Sequence, residues 1–411
     1  MSLIQPFSGL RPAPGRAADV IAPPYDVIDI DEARRLVQGR PHSFLHISRA
    51  EVDLPPQTDP YDARVYRQAH ASLARLIANG VLARDPAPRY YAYRLNAGGH
   101  EQTGLVAAAS VAAYDGGRIK RHELTRPVKE DDRVRQIEAL DAQTGPALLA
   151  YRAQAGIDDL LAAACDGTPD SDVTAADGVR HRVHVIDDPA RIDALTRRFE
   201  ALDALYIADG HHRSAAASRI AAERRAADPQ SEAAHQYFLA VIFPHAQMRI
   251  LPYNRVIRDL SGLDSGDFLQ RVQARFAVER AGAPVQPDAA GQFGMYLDGA
   301  WHRLVLEPSR IPAGDPVASL DVSLLQDNLI GPILGIEDPR RDPRIDFVGG
   351  IRGLDGLAAR VDSGEMRVAF SLMPTSMDAL MAVADAGRMM PPKSTWFEPK
   401  LADGLVSHML R

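Results

Sequence analysis

A single cysteine, Cys165, stands in a chain of 411 residues, so no internal disulfide can form and a reducing compartment is the natural setting. It closes the apolar stretch Leu160–Cys165, which reads as a helix that buries the thiol rather than as a nucleophile's surroundings. Apolar runs of the about 18–20 residues that span a bilayer are missing. The opening MSLIQPFSGLRPAPG has no basic segment followed by an apolar one, as a secretory signal would. Long basic runs are missing as well. The net charge of −7, with the densest arginines (197, 198, 224 and 225) diluted by acids and alanines, disfavours nucleic acid as the main partner. His181, His184 and the scattered His42, His46 and His70 show no zinc spacing and have no thiolates to join them, which argues against structural zinc. These absences together lead us to expect a soluble, cytoplasmic protein with no membrane partner.

What is present suits a folded enzyme. The sequence is 46% hydrophobic and 25% charged, enough for at least one sizeable core, and its length fits two or three domains. Strand and helix patterns alternate through the N-terminal half. Tyr90–Leu95 and Thr103–Tyr114 form a hairpin pattern across Ala97-Gly98-Gly99, and Asp59–Leu82 carries helical spacing that ends at Asn79-Gly80. Phe44–Ser48 and Leu148–Tyr151 read as strands, and His235–Pro244 as a strong one. Asp31 reads as the cap of a short helix over Glu32–Gln38. Beyond Pro252 the texture changes, with a hairpin at Asp298-Gly299, a helix over Val317–Leu329, and a helix over Met377–Ala386 bracketed by short strands. The expected fold is α/β of mixed α+β character. An N-terminal α/β region covers 1–250 and a smaller α+β domain covers 251–411.

The densest chemistry lies in one loop. Leu205-Tyr206-Ile207-Ala208 reads as a buried strand, Asp209-Gly210-His211-His212-Arg213 as a turn, and Ser214–Arg225 as a helix. A strand, a glycine turn and a helix together make a standard phosphate cradle. The first helical turn leaves its N–H groups unpaired, and the helix dipole adds partial positive charge there. Asp209, Gly210, His211, His212, Arg213 and Ser214 are therefore the candidate nucleotide-binding residues. Arg213 would grip phosphate with its fork of donors, the histidines would add hydrogen bonds or take part in catalysis, and Asp209 would hold Mg2+. A plain structural reading stands beside this one: Asp209 caps the helix, the histidines fill the loop, and Arg213 pairs with an acid.

Two further segments carry lysines and acids. Gly387–Ser394 nearly has Walker A spacing, but Pro392 stands where glycine belongs and the segment follows a helix, so it is no P-loop. Lys393 and Lys400 remain as cations that a substrate or nucleotide could meet. Lys129-Glu130-Asp131-Asp132-Arg133 fits the charged start of a helix, with Arg133 as a further phosphate candidate.

IADGHHRSAAA resembles the matching motif of the ParB/sulfiredoxin superfamily, and within it most resembles the free serine kinases, over roughly 118–245. Nearly the whole chain is similar to the family called domain of unknown function 1015. That similarity rests on Pro23-Pro24-Tyr25-Asp26-Val27, His122-Glu123, Asp209–Arg213, Met390–Thr395 and Phe397-Glu398-Pro399-Lys400. The resemblance implies a ParB/sulfiredoxin-like nucleotide unit over about 100–250, ATP or ADP as cofactor, and a small hydroxyl compound such as serine as substrate. It further implies Glu123 as the carboxylate that takes the hydroxyl proton, beside His211 and His212. Where sulfiredoxin-like members carry their cysteine this chain has His211, so sulfinic-acid reduction is excluded. A nucleotide-binding regulator and a phosphoester hydrolase are the alternatives. The oligomeric state stays open.

Overall fold

In the computed structural model, which describes residues 2–227 and 234–411, the chain divides into two compact units. One comprises Met1–Met248 with Pro399–Arg411, and the other Arg249–Glu398. The C-terminal Pro399–Arg411 thus joins the first unit, although the sequence alone assigns it to the second domain.

A nine-stranded mixed sheet organises the first unit. Its strands are β1 (Ile4–Gln5), β2 (Tyr90–Ala97), β3 (His100–Ser110), β4 (Ile119–Lys120), β5 (Ala147–Tyr151), β6 (Ser171–Thr174), β7 (Arg180–Ile186), β8 (Leu205–Asp209) and β9 (Tyr237–Pro244). They lie in the order β4-β8-β5-β9-β3-β2-β7-β6, with β1 added beside β3. The β2–β3 hairpin turns at Gly98 and Gly99, both with positive φ, as the sequence predicts. Every residue of β5 and β9 is buried, so these strands read as continuous apolar runs rather than alternations.

The unit's longer helices are α1 (Ala63–Ala78), α2 (Pro127–Leu140), α3 (Ala155–Ala164), α4 (Pro189–Glu200) and α5 (His211–Ala227), of which α3, α4 and α5 pack on this sheet. Asp62 and Asp188 cap α1 and α4 by accepting from the amides of Arg64 and Ala190. The main core joins Leu105, Leu149, Ile207 and Ile242 from the strands to Leu161, Leu195 and Phe199 from α3 and α4. A second core gathers Val20, Phe44, Ile47, Ala69, Leu73 and Leu76.

Leu45–Ser48, predicted as a strand, is a short, fully buried helix. A run of five residues cannot separate buried helix from buried strand by periodicity. The helix expected to be capped by Asp31 starts earlier, and Asp29 caps it by accepting from the Glu32 amide. The second unit holds a six-stranded antiparallel sheet in the spatial order Phe276–Ala281, Ala300–Leu306, Gln292–Leu297, Val368–Ser371, Tyr253–Ile257, Ile345–Gly349. No helix among the described residues is long and apolar enough to cross a membrane.

Candidate functional site

Strand β8 ends at Asp209 and α5 begins two residues later, at His211. Gly210 makes the turn alone, with φ at +93°, and a side chain there would meet Ala147 Cα at 3.1 Å. This single left-handed residue is why the helix starts three positions before the predicted Ser214. The first i→i−4 bond runs from the Ser214 amide to the Gly210 carbonyl at 3.0 Å. The amides of His211, His212 and Arg213 therefore precede the helix's own ladder and form its unpaired, partly positive end. Ser214 is fully buried and its hydroxyl also donates to the Gly210 carbonyl at 3.3 Å, so it locks the turn.

The β4–β8 pairing brings a second loop to this helix end. These strands are parallel, with Ile119 beside Leu205 and Lys120 beside Tyr206. His122 and Glu123 are thereby delivered to the carboxyl end of β8, the edge where open sheets receive ligands. The His122 amide donates to His211 Nε2 at 3.4 Å, and the Arg126 amide donates to His212 Nε2 at 3.0 Å. With Nε2 of His211 accepting, its proton sits on Nδ1, which faces Glu123 Oε2 at 3.8 Å. The His122 and His211 rings meet edge to face, with centroids 4.6 Å apart. Burial pulls His122 down to about 4, and burial with the neighbouring His122 and His212 pulls His211 well below the ordinary range. Burial and then Arg126 lower His212 too. These rings act as neutral hydrogen-bonding groups at pH 7 and not as counter-charges to phosphate.

Cations and carboxylates are paired along the other side of the turn. Asp209 accepts from the Gly210 amide at 2.7 Å and faces Lys400 Nζ at 3.5 Å. Burial would raise this carboxyl, but Lys400, Arg213 and the Gly210 amide outweigh it and hold it below its usual value. Asp209, the residue the sequence offers for Mg2+, thus has a lysine and a backbone amide as its partners. Arg213 turns inward: it donates to the Pro146 carbonyl at 2.6 Å and to Asp26 at 2.8 Å, and lies 5.4 Å from the Tyr25 ring. Each of its two terminal nitrogens thus donates one hydrogen bond within the protein. Arg133, the other phosphate candidate, stacks on Tyr25 at 3.9 Å and pairs with Asp132 at 2.6 Å. Between these arginines lies a cavity of about 30 Å³, lined in part by Ser48, Gln143, Thr144 and Asp403. It has room for water and not for a nucleotide. Burial pushes the Asp403 carboxyl up to about 7 there, against the pull of Arg213.

The segments that sequence reading set apart therefore meet here: Tyr25-Asp26 at Arg213, His122-Glu123 at His211, and Lys400 at Asp209. The family model described as "Protein of unknown function (DUF1015)" matches residues 4–323. The chain belongs to the DUF1015 family. No curated protein matches this DUF1015 chain. Among solved structures, a conserved hypothetical protein from Pyrococcus furiosus shares 14% identity at a TM-score of 0.34, over 72% of this chain and 93% of that one. A free serine kinase in complex with AMP shares 12% identity at a TM-score of 0.35, over 71% and 86%. SbnI from Staphylococcus aureus, truncated at its C-terminus, shares 12% at 0.36, over 72% and 84%. Likeness this slight transfers no residue's role.

Sequence reading missed Lys400 as the partner of Asp209, Asp26 as that of Arg213, and His122 as a buried neighbour of His211. Lys393 belongs to the second unit, with its ammonium 5.3 Å from the Tyr253 ring. Adjacent His-Glu and His-His pairs were the available signal for His122. Reading it required the parallel β4–β8 register.

Proposed function

We propose that this protein is a nucleotide-dependent phosphotransferase that acts on a small hydroxyl compound, with ATP or ADP as donor. The observation that carries this reading is the convergence of Glu123 on the open N-terminal turn of α5, 3.8 Å from His211. Phosphoryl transfer asks mainly for positioning and charge neutralisation. Backbone amides of His211, His212 and Arg213 would hold phosphate oxygens, with Lys400, paired with Asp209, as a side-chain cation at the same turn. Glu123, half-exposed beside them, would accept the proton of the attacking hydroxyl.

Residues of about 100–250 would then form a ParB/sulfiredoxin-like nucleotide unit, with serine the first acceptor to try, as the resemblance of IADGHHRSAAA to the free serine kinases implies. The nucleotide and a small-molecule substrate would be the partners of a cytoplasmic enzyme.

A thermal-shift panel of ATP, ADP and AMP, followed by assay for phosphoserine, tests the reading. A nucleotide at 100 times its Kd should add about 2.7 kcal/mol of stability. Tight binding without turnover across many acceptors would favour the regulator, and nucleotide breakdown without an acceptor would favour the hydrolase. No nucleotide binding at millimolar concentration would refute all three.

A further inference from the structure

His122, Glu123 and His211 each offer one ligand atom, and these atoms lie within 4.8 Å of one another. Two imidazoles and a carboxylate form the donor set that suits first-row transition ions and not magnesium. Two features single this set out. The Nδ1 atom of His122 has no hydrogen-bond partner although the residue is only 2% exposed. A buried lone pair left unmatched costs free energy that a ligand at that point would recover. The same ring also hydrogen-bonds to the backbone of Ile207, and with Nδ1 unpartnered that bond comes from Nε2. A metal-bound histidine is ordinarily oriented in this way, one nitrogen on the ion and the other N–H on a carbonyl.

We infer that this DUF1015 chain binds one first-row divalent transition ion, of the Zn2+ class, through His122 Nδ1, His211 Nδ1 and Glu123. Metal–nitrogen bonds of about 2.0–2.1 Å bring such ligand atoms closer together than they stand here. The half-exposed Glu123 side chain supplies the movement. Coordination at His211 Nδ1 shifts the ring proton to Nε2, where it would face the His122 N–H, so the 3.4 Å contact is given up and the two donors must turn away from each other as the ion binds. Three protein ligands leave coordination positions open on the exposed Glu123 side, beside the first turn of α5. A phosphate oxygen or an acceptor hydroxyl fits there. If Glu123 binds through one oxygen, its second remains for a proton. What the ion does for phosphate rests on the phosphotransfer reading; whether it binds does not.

The test uses the full chain, stripped with a chelator and titrated with Zn2+ by calorimetry and with Co2+ by its visible d–d bands. One ion per chain is expected, with binding weakened about tenfold or more in both His122→Ala and Glu123→Gln. If His122→Ala fails to fold, Glu123→Gln decides alone, because its side chain is half-exposed. Absence of stoichiometric binding by the folded wild-type chain overturns the inference. Equal binding by wild type and Glu123→Gln does so too, since the ion then sits elsewhere. Metal binding without any phosphoryl transfer would keep the site and remove the proposed activity; transfer by the metal-free chain, with no ion bound on titration, would do the reverse.

Discussion

Arg213 donates to Asp26 across 187 positions of sequence, at 2.8 Å, and so ties the first residue block of the family motif to the start of α5. The pair fixes what Arg213 does. Its side chain is 12% exposed and holds the Tyr25-Asp26 loop and the Pro146 carbonyl together.

Arg213→Met is therefore expected to destabilise the protein by about 2–4 kcal/mol, the range for breaking a largely buried, hydrogen-bonded ion pair. Asp26→Asn should cost less, about 1 kcal/mol, because Asp26 is more exposed. Urea unfolding of both single variants and the double variant measures this, with a coupling energy of at least about 0.5 kcal/mol expected. Wild-type stability in Arg213→Met together with lost nucleotide binding would return this arginine to ligand recognition.

Gly210→Ala should cost about 2 kcal/mol, since a left-handed residue with a Cβ is strained and here also faces the Ala147 backbone. The check is chemical denaturation, with circular dichroism to verify that the fold persists. A neutral substitution would mean that α5 can start without the left-handed turn.

Asp403 supplies a pH test. Its carboxyl titrates near 7 when folded, above its unfolded value, so the folded state holds the extra proton between about pH 4 and 7. The stabilisation from this group is complete below about pH 4 and is lost as pH rises through 7. Asp403→Asn cannot ionise, so its stability relative to wild type should increase from pH 4 to pH 7, by a few kcal/mol, and stay level above that. His122, His181 and His408, held near 4 by burial, act with the opposite sign in both proteins and cancel in the difference. A flat difference between the two stability curves would show that Asp403 is ionised throughout.

How much of this could be read from the sequence follows from which interactions are local. Leu205–Ala208, Gly210 and the alanines after Ser214 announce strand, turn and helix within a dozen residues, and the structure has them in that order. The start at His211 was not legible, because it depends on Gly210 turning the chain in one step. The partners of Arg213 were not legible for a different reason: Asp26 and the Pro146 carbonyl are distant in sequence, and a charged side chain beside a turn does not announce them. Lys400 lies 191 positions beyond Asp209, and no periodicity links them. His122-Glu123 gained meaning only from the parallel register of β4 on β8.

The most direct test of the proposed chemistry pairs turnover with binding in wild type and Glu123→Gln, at saturating divalent cation. Glutamine keeps the size and hydrogen bonding of the side chain but cannot take the hydroxyl proton. Nucleotide-dependent formation of phosphoserine, or of another phosphorylated hydroxyl compound, should fall by about 100-fold or more. Nucleotide affinity should stay nearly unchanged, because phosphate is held by the amides of His211, His212 and Arg213. Equal turnover in the two proteins would contradict the account.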